Sequence, residues 1–403
     1  MGKIGGFVEK YVAIIVTKEQ IISRIQGCFD LYMKGCYATM KIYKQQTKES
    51  LSVSFLPVPV AISAKVRRAF NRRPITHRSH EFRQLMSETK DLLSSLTGAV
   101  HVELFLGSGT LANDVVAAQL KLLDGEGLVL SNGLFGERLI DHATRHGLRF
   151  MPVSVPWGEG FDYAALQEKL SEGTFDWIWA THCETFLGIL NNLEKLEEIC
   201  REHDVKLCMD CISSIGTVPV RLNNVYLATT VSGKGLASYP GISMVFYNHE
   251  VVPDNGLPSY LDLGYYRSKE GVPFTHSYNL VAALREALLI ITAKPKFARI
   301  RRESDWLLRE LEKLGIKTAA SSADSSPAVL TLALPPSVSS VKLGEQMEQR
   351  GYLLSYRSDY LVKNNLLRIC LMGETTHVQH LHMLDSLGGT FSRIASATMD
   401  TPA

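Results

Sequence analysis

The sequence has no long apolar run and almost no excess of charge of either sign. Its apolar runs, such as residues 12–16, are far shorter than the ~20 residues that cross a bilayer, so we expect no membrane contact. The chain carries 43 Lys and Arg against 41 Asp and Glu, a net charge of +2. The short basic tract at residues 65–73 fits a solvated helix face better than a nucleic-acid surface. We therefore expect no nucleic-acid partner.

Cysteine is sparse and irregularly spaced. The seven cysteines show no disulfide-scaffold spacing, which is typical of a reducing compartment. Cys208 and Cys211 form a C-x-x-C, but Cys208 lies in an apolar segment that predicts a strand, whereas a redox pair normally opens a helix. No second pair or histidine cluster suits zinc. The first residues lack a basic-then-apolar leader pattern, and Glu9 and Glu19 disfavour a transit peptide, so we expect a cytoplasmic protein.

From residue 99 onward, short apolar strands alternate with amphipathic helices. Apolar content of 45% and charged content of 21% are ordinary for a globular protein of one large or two medium domains. The predicted strands are 101–106, 127–131, 148–154, 175–181, 205–210, 227–231 and 242–247, with helices from 110, at 135–146, at 162–171 and at 192–203. This alternation predicts an α/β fold with a mostly parallel sheet and a ligand beyond the carboxyl ends of its strands.

The pattern changes after residue 276. Two helices, 280–292 and 297–314, lead into a smaller unit with strands at 327–334, 352–356 and 365–371 and helices at 339–350 and 376–395. We therefore divide the chain into an N-terminal extension of unknown role (1–50), a large domain (51–276), a helical connection with a small α+β domain (277–395) and a tail (396–403).

A glycine-rich segment at residues 107–110 follows one strand and opens a helix. Free amides at a helix N-terminus bind phosphate, and glycines let the backbone approach it closely. The segment also matches G-x-G-x-x-A, but a dinucleotide site needs an acid at the end of the next strand. That strand ends with Ser131 and Asn132, so the sequence favours a monophosphate. A nucleotide P-loop at Lys234 fails because residue 235 is Gly rather than Ser or Thr.

Asp210 and Lys234 carry the most specific chemistry. Asp210 ends a buried strand, and Lys234 lies on a glycine-flanked turn after the next strand. A lysine and a carboxylate on neighbouring strand ends suit pyridoxal phosphate, because the lysine forms the Schiff base and the acid keeps the pyridine nitrogen protonated. Taken alone the pair has little specificity, and it indicates this cofactor only together with the other parts of the site that the chain supplies in order.

Three further side chains lie where they could serve the same site. Phe135 starts a helix just after a strand end, where an aromatic ring could stack on a flat ligand or simply pack in the core. Thr185 offers a hydroxyl at the same sheet edge. Arg368 is a charge inside an apolar strand, which is costly unless a structural carboxylate or a substrate carboxylate faces it.

Together these residues resemble the class V pyridoxal-phosphate aminotransferases of fold type I, a family that includes alanine–glyoxylate, serine–pyruvate and 2-aminoethylphosphonate aminotransferases. The resemblance runs from about residue 56 to about residue 387. The matching segments are residues 76–82, 107–110, 132–136, 182–185 with Gly188, Asp210, 232–234, and Arg368 with 372–373.

The resemblance implies a large domain with a mostly parallel seven-stranded sheet, a smaller C-terminal α+β domain, and a homodimer with shared active sites. It implies that Lys234 is the Schiff-base lysine and that Asp210 pairs with the pyridine nitrogen. The other implied cofactor contacts are Phe135 and Ile212 on the two ring faces, Thr185 on the phenolic oxygen, and Ser108, Gly109, Thr110, Ser232 and a second subunit's Thr275 on the phosphate. Arg368 would bind the substrate carboxylate.

The implied activity is transfer of an amino group from a small amino acid to a 2-oxo acid. Departures from the family pattern surround the substrate pocket: residues 56–60 replace a glycine-rich start, Phe186 and Leu187 replace small residues, and residues 276–278 replace a proline-containing segment. They leave open a lyase, decarboxylase or β/γ-replacement enzyme on the same cofactor. A desulfurase is disfavoured because Cys370 lies in a predicted strand. A dinucleotide-binding oxidoreductase or a non-catalytic binding module is the alternative of a different class.

Overall fold

The computed structural model describes residues 52–320 and 324–399. Its strands are β1 (Val53–Ser54), β2 (His101–Leu106), β3 (Glu126–Ser131), β4 (Arg149–Ser154), β5 (Trp177–Thr181), β6 (Cys183–Glu184), β7 (Ile189–Leu190), β8 (Lys206–Asp210), β9 (Leu227–Val231), β10 (Ile242–Tyr247), β11 (Lys317–Thr318), β12 (Val329–Ala333), β13 (Tyr352–Leu353) and β14 (Leu366–Cys370).

Its helices are α1 (Ala64–Phe70), α2 (His80–Thr97), α3 (Gly109–Lys121), α4 (Leu134–Arg145), α5 (Tyr163–Glu172), α6 (Leu193–Glu202), α7 (Leu263–Ser268), α8 (Tyr278–Ala293), α9 (Phe297–Lys313), α10 (Ser340–Gln349), α11 (Asp359–Lys363) and α12 (His377–Met399). None of the described helices is long and apolar enough to cross a membrane. The basic residues of α1 are exposed and only its apolar positions are buried, as expected of a solvated helix face.

Seven strands form the central sheet, in the order β2–β10–β9–β8–β5–β3–β4. Strand β10 is antiparallel to both of its neighbours, while the other six strands run in one direction. The prediction of a mostly parallel seven-stranded sheet is confirmed. The carboxyl ends of β2, β8 and β9 therefore meet at one edge of the sheet, together with the start of β10, and this edge positions the site.

Helices cover both faces of this sheet. One apolar core includes residues of α2, α5, α6 and α8, and a second includes residues of α3, α4 and α7. Strands β5, β9 and β10 are buried along their whole length as a result, which explains why they are continuous apolar runs rather than alternating ones. Helix α2, absent from the predicted elements, begins at the N-cap Ser79 and ends at Gly98 in the left-handed conformation.

The C-terminal residues build another apolar core around the antiparallel strands β11, β12 and β14 and helices α9, α10 and α12. Strand β1 pairs with β13, and Phe55 and Val60 belong to this core. Residues 53–60 therefore pack with the C-terminal unit, although they lie within the predicted large domain of 51–276. The other domain boundaries stay a prediction.

Both predicted terminal segments lie mostly outside the description. The N-terminal extension (1–50) falls outside the described residues. At the other end, α12 continues to Met399, four residues beyond Ala395, where the small domain was predicted to end. Residues 400–403 are not among the described residues.

Candidate active site

A cavity opens at the carboxyl ends of β2, β8 and β9. Strands β8 and β9 are parallel neighbours, with Asp210 paired to Thr229, so Asp210 and the turn after β9 that carries Lys234 meet at one edge. The cavity has a volume of about 240 Å³. The residues predicted for the site that line it are Ser108, Gly109, Thr110, Phe135, Asp210, Ile212 and Lys234.

Lys234 is buried at the base of this cavity. Its Nζ donates a hydrogen bond of 2.9 Å to the hydroxyl of Ser213 and lies 5.0 Å from the centre of the Phe135 ring. Burial lowers the pKa of Lys234, and the charge of Asp210 acts against this. The amine is thus more readily neutral than an exposed lysine, as a nucleophile or base must be.

Asp210 is buried and held in one orientation. Its Oδ2 accepts a hydrogen bond of 2.9 Å from Nδ2 of Asn113, and its Oδ1 accepts one of 2.9 Å from the amide of Ile212. Burial raises the pKa of Asp210, while these hydrogen bonds and the charge of Lys234 act to lower it. A fixed buried carboxylate of this kind is stabilised by a cationic partner.

The N-terminus of α3 faces the same cavity. Ser108 is its N-cap residue and makes no side-chain capping bond, so amides of the first turn are left for a ligand. A Cβ on Gly109 would lie 2.5 Å from Cδ1 of Ile212, so glycine lets the Ile212 side chain pack directly against the start of α3. The arrangement suits a phosphate group.

The N-terminus of α4 is instead capped by protein. Glu184 is fully buried, and its two carboxylate oxygens accept hydrogen bonds from the amides of Phe135 (2.8 Å) and Phe186 (2.9 Å). Burial raises the pKa of Glu184, while these backbone bonds lower it. This carboxylate fixes the start of α4 and with it the ring of Phe135 at the cavity wall.

Thr185 connects to the lysine through a residue that sequence patterns did not indicate. The hydroxyls of Thr185 and Ser213 lie 3.1 Å apart, and Ser213 in turn accepts from Lys234. Both hydroxyl-bearing residues are buried. Ser213 could have been suspected only from its position three residues after the carboxylate that ends β8.

Arg368 lies in β14 behind an aromatic ring. Its Nη1 donates a hydrogen bond of 2.7 Å to the carbonyl of Thr185, and its guanidinium carbon is 5.2 Å from the centre of the Phe186 ring. Its buried Nε has no hydrogen-bond partner among the described residues, and no described carboxylate forms an ion pair with it. Of the two alternatives for its partner, a structural carboxylate therefore finds no support in the described part of the chain.

Four of the predicted residues do not line the cavity: Thr185 and Arg368, described above, and Ser232 and Thr275. The hydroxyl of Ser232 donates to the carbonyl of Tyr239 at 2.6 Å and accepts from the amide of Ile242 at 3.2 Å, inside the turn after β9. Thr275 is exposed and lies in a separate surface depression with His77 and Arg78. The predicted phosphate contact of Thr275 requires a second subunit and stays a prediction.

The thiols near the site are enclosed by protein. Cys208 lies inside β8, and burial raises the pKa of both Cys208 and Cys211. Cys370 is buried in β14, as predicted from the sequence, and burial raises the pKa of its thiol as well. A thiol acting as a nucleophile needs the opposite, an exposed position and a lowered pKa.

Comparison with known proteins gives matches in sequence and in fold. Residues 63–257 match the family model described as aminotransferase class-V. The chain is 29% identical over 344 residues to the 2-aminoethylphosphonate–pyruvate transaminase of Pseudomonas fluorescens, covering 80% of this chain and 92% of that protein. It is also 29% identical over 352 residues to a protein of Anabaena cylindrica named soluble hydrogenase 42 kDa subunit, covering 82% and 91%.

The fold has relatives among solved structures. The crystal structure of an alanine–glyoxylate aminotransferase from Nostoc sp. superposes with a TM-score of 0.76 at 27% identity, covering 85% of this chain and 95% of that one. The central sheet, the cavity lined by Asp210 and Lys234 and the sequence matches point the same way. In sequence and in fold, the chain is similar to the class V aminotransferases, pyridoxal-phosphate-dependent transferases of fold type I.

Proposed function

We propose that this protein is an aminotransferase that moves an amino group from a small amino acid to a 2-oxo acid, with Lys234 as its catalytic lysine. The observation that carries the proposal is that one cavity is lined by both a buried lysine, Lys234, and a buried, hydrogen-bonded carboxylate, Asp210. Two relatives support the substrate class, because their names describe amino transfer to pyruvate or glyoxylate.

The donor set of the cavity fits pyridoxal phosphate. When bound, this cofactor supplies an aldehyde that receives the amino group and a ring that takes up electron density. Lys234 would hold the aldehyde carbon, and Asp210 would pair with the ring nitrogen. Ser108, Gly109 and Thr110 would bind the phosphate at the uncapped start of α3.

Two apolar side chains and one hydroxyl would enclose the ring. Phe135 and Ile212 line the cavity and would pack on its two faces. Thr185 would bond the phenolic oxygen, and Ser213, which bridges Thr185 and Lys234, would keep both groups in place.

Lys234 would also move a proton. Because burial lowers its pKa, the free amine would serve as the base that takes the proton from the substrate Cα and returns it elsewhere on the reacting molecule. Ser213 accepts a hydrogen bond from Nζ and so steers the amine during this step. Asp210 would pair with the ring nitrogen of the bound cofactor and keep it protonated.

Arg368 would bind the substrate carboxylate. It is buried, has an Nε without a hydrogen-bond partner in the described chain, and keeps one bond to the carbonyl of Thr185. An anion completes the coordination of such a cation. The Phe186 ring over the guanidinium, with Trp157 and Tyr360 packed against it, would limit the substrate to a small side chain.

We further propose a cytoplasmic homodimer with shared active sites. Support for the dimer is the position of Thr275, which is exposed and away from its own cavity. Support for a reducing compartment is that the five cysteines in the described part of the chain are all free. Light scattering of the purified protein tests the first point and cell fractionation the second.

The direct test of the function is to fix the cofactor in place. Purified protein incubated with pyridoxal phosphate and reduced with borohydride should keep the cofactor on the peptide that carries Lys234, as read by mass spectrometry. Lys234→Ala should lose this label. A label that persists in the variant, or none in the wild type, would overturn the assignment of Lys234.

A second measurement separates amino transfer from its rivals. In a single turnover with one small amino acid, an aminotransferase converts its cofactor to the amine form and releases a 2-oxo acid. A lyase, decarboxylase or replacement enzyme returns the cofactor in its aldehyde form and releases CO₂ or a leaving group instead. The absorbance of the cofactor and the identity of the released product decide between the two.

A further inference from the structure

A buried histidine lines the cavity and has no part in the roles proposed above. His142, on α4, is 6% exposed and belongs to the cavity wall. Asp210 lines the same cavity. The residues that contact these two side chains, Asn113 for Asp210 and Asp114 for His142, are consecutive in α3, which relates the imidazole to the Asp210 side of the cavity.

Asp114 sets the orientation of this imidazole. Nδ1 of His142 lies 2.7 Å from Oδ1 of Asp114, on α3. Burial acts to raise the pKa of Asp114, but hydrogen bonds from His142 and His146 outweigh it and hold that pKa below its usual value. An ionised Asp114 accepts only, so Nδ1 is the donor. Nε2 is then the ring nitrogen left for the cavity that His142 lines.

Helix α3 contacts both Asp210 and His142 through two consecutive residues. Asn113, which donates to Asp210, immediately precedes Asp114 in α3. The two consecutive side chains thus fix the carboxylate of β8 and the imidazole of α4 relative to each other. Such consecutive anchoring is how a rigid element preorganises two contacts to one ligand.

We propose that His142, oriented by Asp114, is a further cofactor-binding residue whose Nε2 contacts pyridoxal phosphate on the Asp210 side of the cavity. This rests on the proposed function, because it takes the cofactor to fill the cavity. A second polar contact at that side restrains the ring against tilting away from Asp210, and a hydrogen bond made in a dry cavity is strong.

His146 is a matched control within the same cluster. Its Nε2 lies 3.3 Å from the same Asp114 oxygen, one helical turn after His142. It does not line the cavity. Loss of His146 therefore removes a contact to Asp114 without removing any group that could reach the cofactor.

The experiment replaces His142 by amide side chains that each keep a polar group near only one of its two ring nitrogens. His142→Gln keeps a polar group near the position of Nε2, His142→Asn keeps one near Nδ1, and His142→Leu keeps neither. The dissociation constant of pyridoxal phosphate is measured for each apoprotein by quenching of intrinsic fluorescence, with the thermal unfolding midpoint of the apoprotein recorded alongside. We expect about tenfold weaker binding for the Asn and Leu variants, the value of one hydrogen bond, and near-normal binding for the Gln variant and for His146→Leu.

The Gln and Asn variants decide the matter even if the Leu variant fails to fold. Restoration by Asn but not by Gln would show that His142 only ties α4 to Asp114, and would overturn the proposal. Wild-type affinity in all three variants would overturn it as well. If wild-type protein itself binds no pyridoxal phosphate, the proposed function fails and this inference falls with it.

Discussion

Replacing Asp210 by Asn tests the centre of the proposed site with the smallest change in shape. The carboxylate accepts from Asn113 through Oδ2 and from the amide of Ile212 through Oδ1. Oδ1 of Asn113 accepts from the hydroxyl of Thr229 at 3.0 Å, which fixes the orientation of that amide. Asparagine at position 210 keeps one acceptor oxygen and replaces the other with an NH₂ group. That NH₂ group would face an N–H donor, either of Asn113 or of the Ile212 amide. The variant therefore loses both a charge and a matched hydrogen bond.

The magnitude follows from the loss of a buried ion pair. Removing one partner of such a pair costs about 3–5 kcal/mol, and each ~1.4 kcal/mol is tenfold in rate. If Asp210 keeps the cofactor ring cationic during the reaction, Asp210→Asn should slow the amino-acid half-reaction by about 10²–10⁴-fold. Cofactor should still bind, because the phosphate contacts at the start of α3 are untouched.

The assay is a single turnover with excess amino acid, followed by cofactor absorbance and by the 2-oxo acid released. Thr229→Val is the control: it removes the hydroxyl that orients Asn113 but leaves the carboxylate, and should cost less than about tenfold, the value of one neutral hydrogen bond. A half-reaction of Asp210→Asn within tenfold of wild type, in protein that holds cofactor, would refute the assigned role of Asp210.

Three other outcomes follow from the buried ionisable groups Arg368, Glu184 and His182. Arg368→Lys should raise KM for the amino acid about 10–100-fold, since an ammonium cannot replace the guanidinium fork; an unchanged KM would place the substrate carboxylate elsewhere. Glu184→Ala should lower the free energy of unfolding by about 2–4 kcal/mol, because two buried amides lose their acceptor, and a denaturant titration that shows no change would contradict the capping role. Burial lowers the pKa of His182 from 6.5 to about 4, so the folded protein favours the neutral imidazole. The resulting contribution to the free energy of unfolding, about 3 kcal/mol, is fully present above pH 6.5 and is lost as the pH falls from 6.5 to 4. His182→Asn should show a smaller drop in denaturant midpoint between pH 7.5 and pH 5 than the wild type, and an equal drop in both would contradict this.

Local patterns in the sequence determined the element order and the main chemical residues. Strand and helix periods depend on neighbours a few residues apart, so the seven strands of the central sheet were predicted within about two residues of their bounds, whereas the two-residue strands β6 and β7 were not predicted. Because parallel strands end at a common edge, the ends of β8 and β9 already brought Asp210 and Lys234 together. The family resemblance predicted that Phe135 and Ile212 contact the cofactor, and both line the cavity.

Contacts between distant segments were decided only by the tertiary structure. Asn113 and Asp210 are 97 residues apart, and Arg368 and Thr185 are 183 apart; no local period encodes which side chain meets which across a crossover. For that reason the bridge through Ser213 and the cap of α4 by Glu184 were not foreseen. The hydrogen bonds of Ser232 within its own turn were not predicted, because a serine hydroxyl can bind either a phosphate or the backbone of the turn that carries it.

Contacts between distant segments also decide which apolar core a segment joins. A short apolar segment such as residues 53–60 shows that it will be buried, but not against which unit, and the fold places Phe55 and Val60 in the C-terminal core. His142 shows the principle at the site itself. As a lone histidine on an amphipathic helix it carried no signal, and it gains chemical meaning only because packing of α3 against α4 sets one ring nitrogen on Asp114 and leaves the other for the cavity.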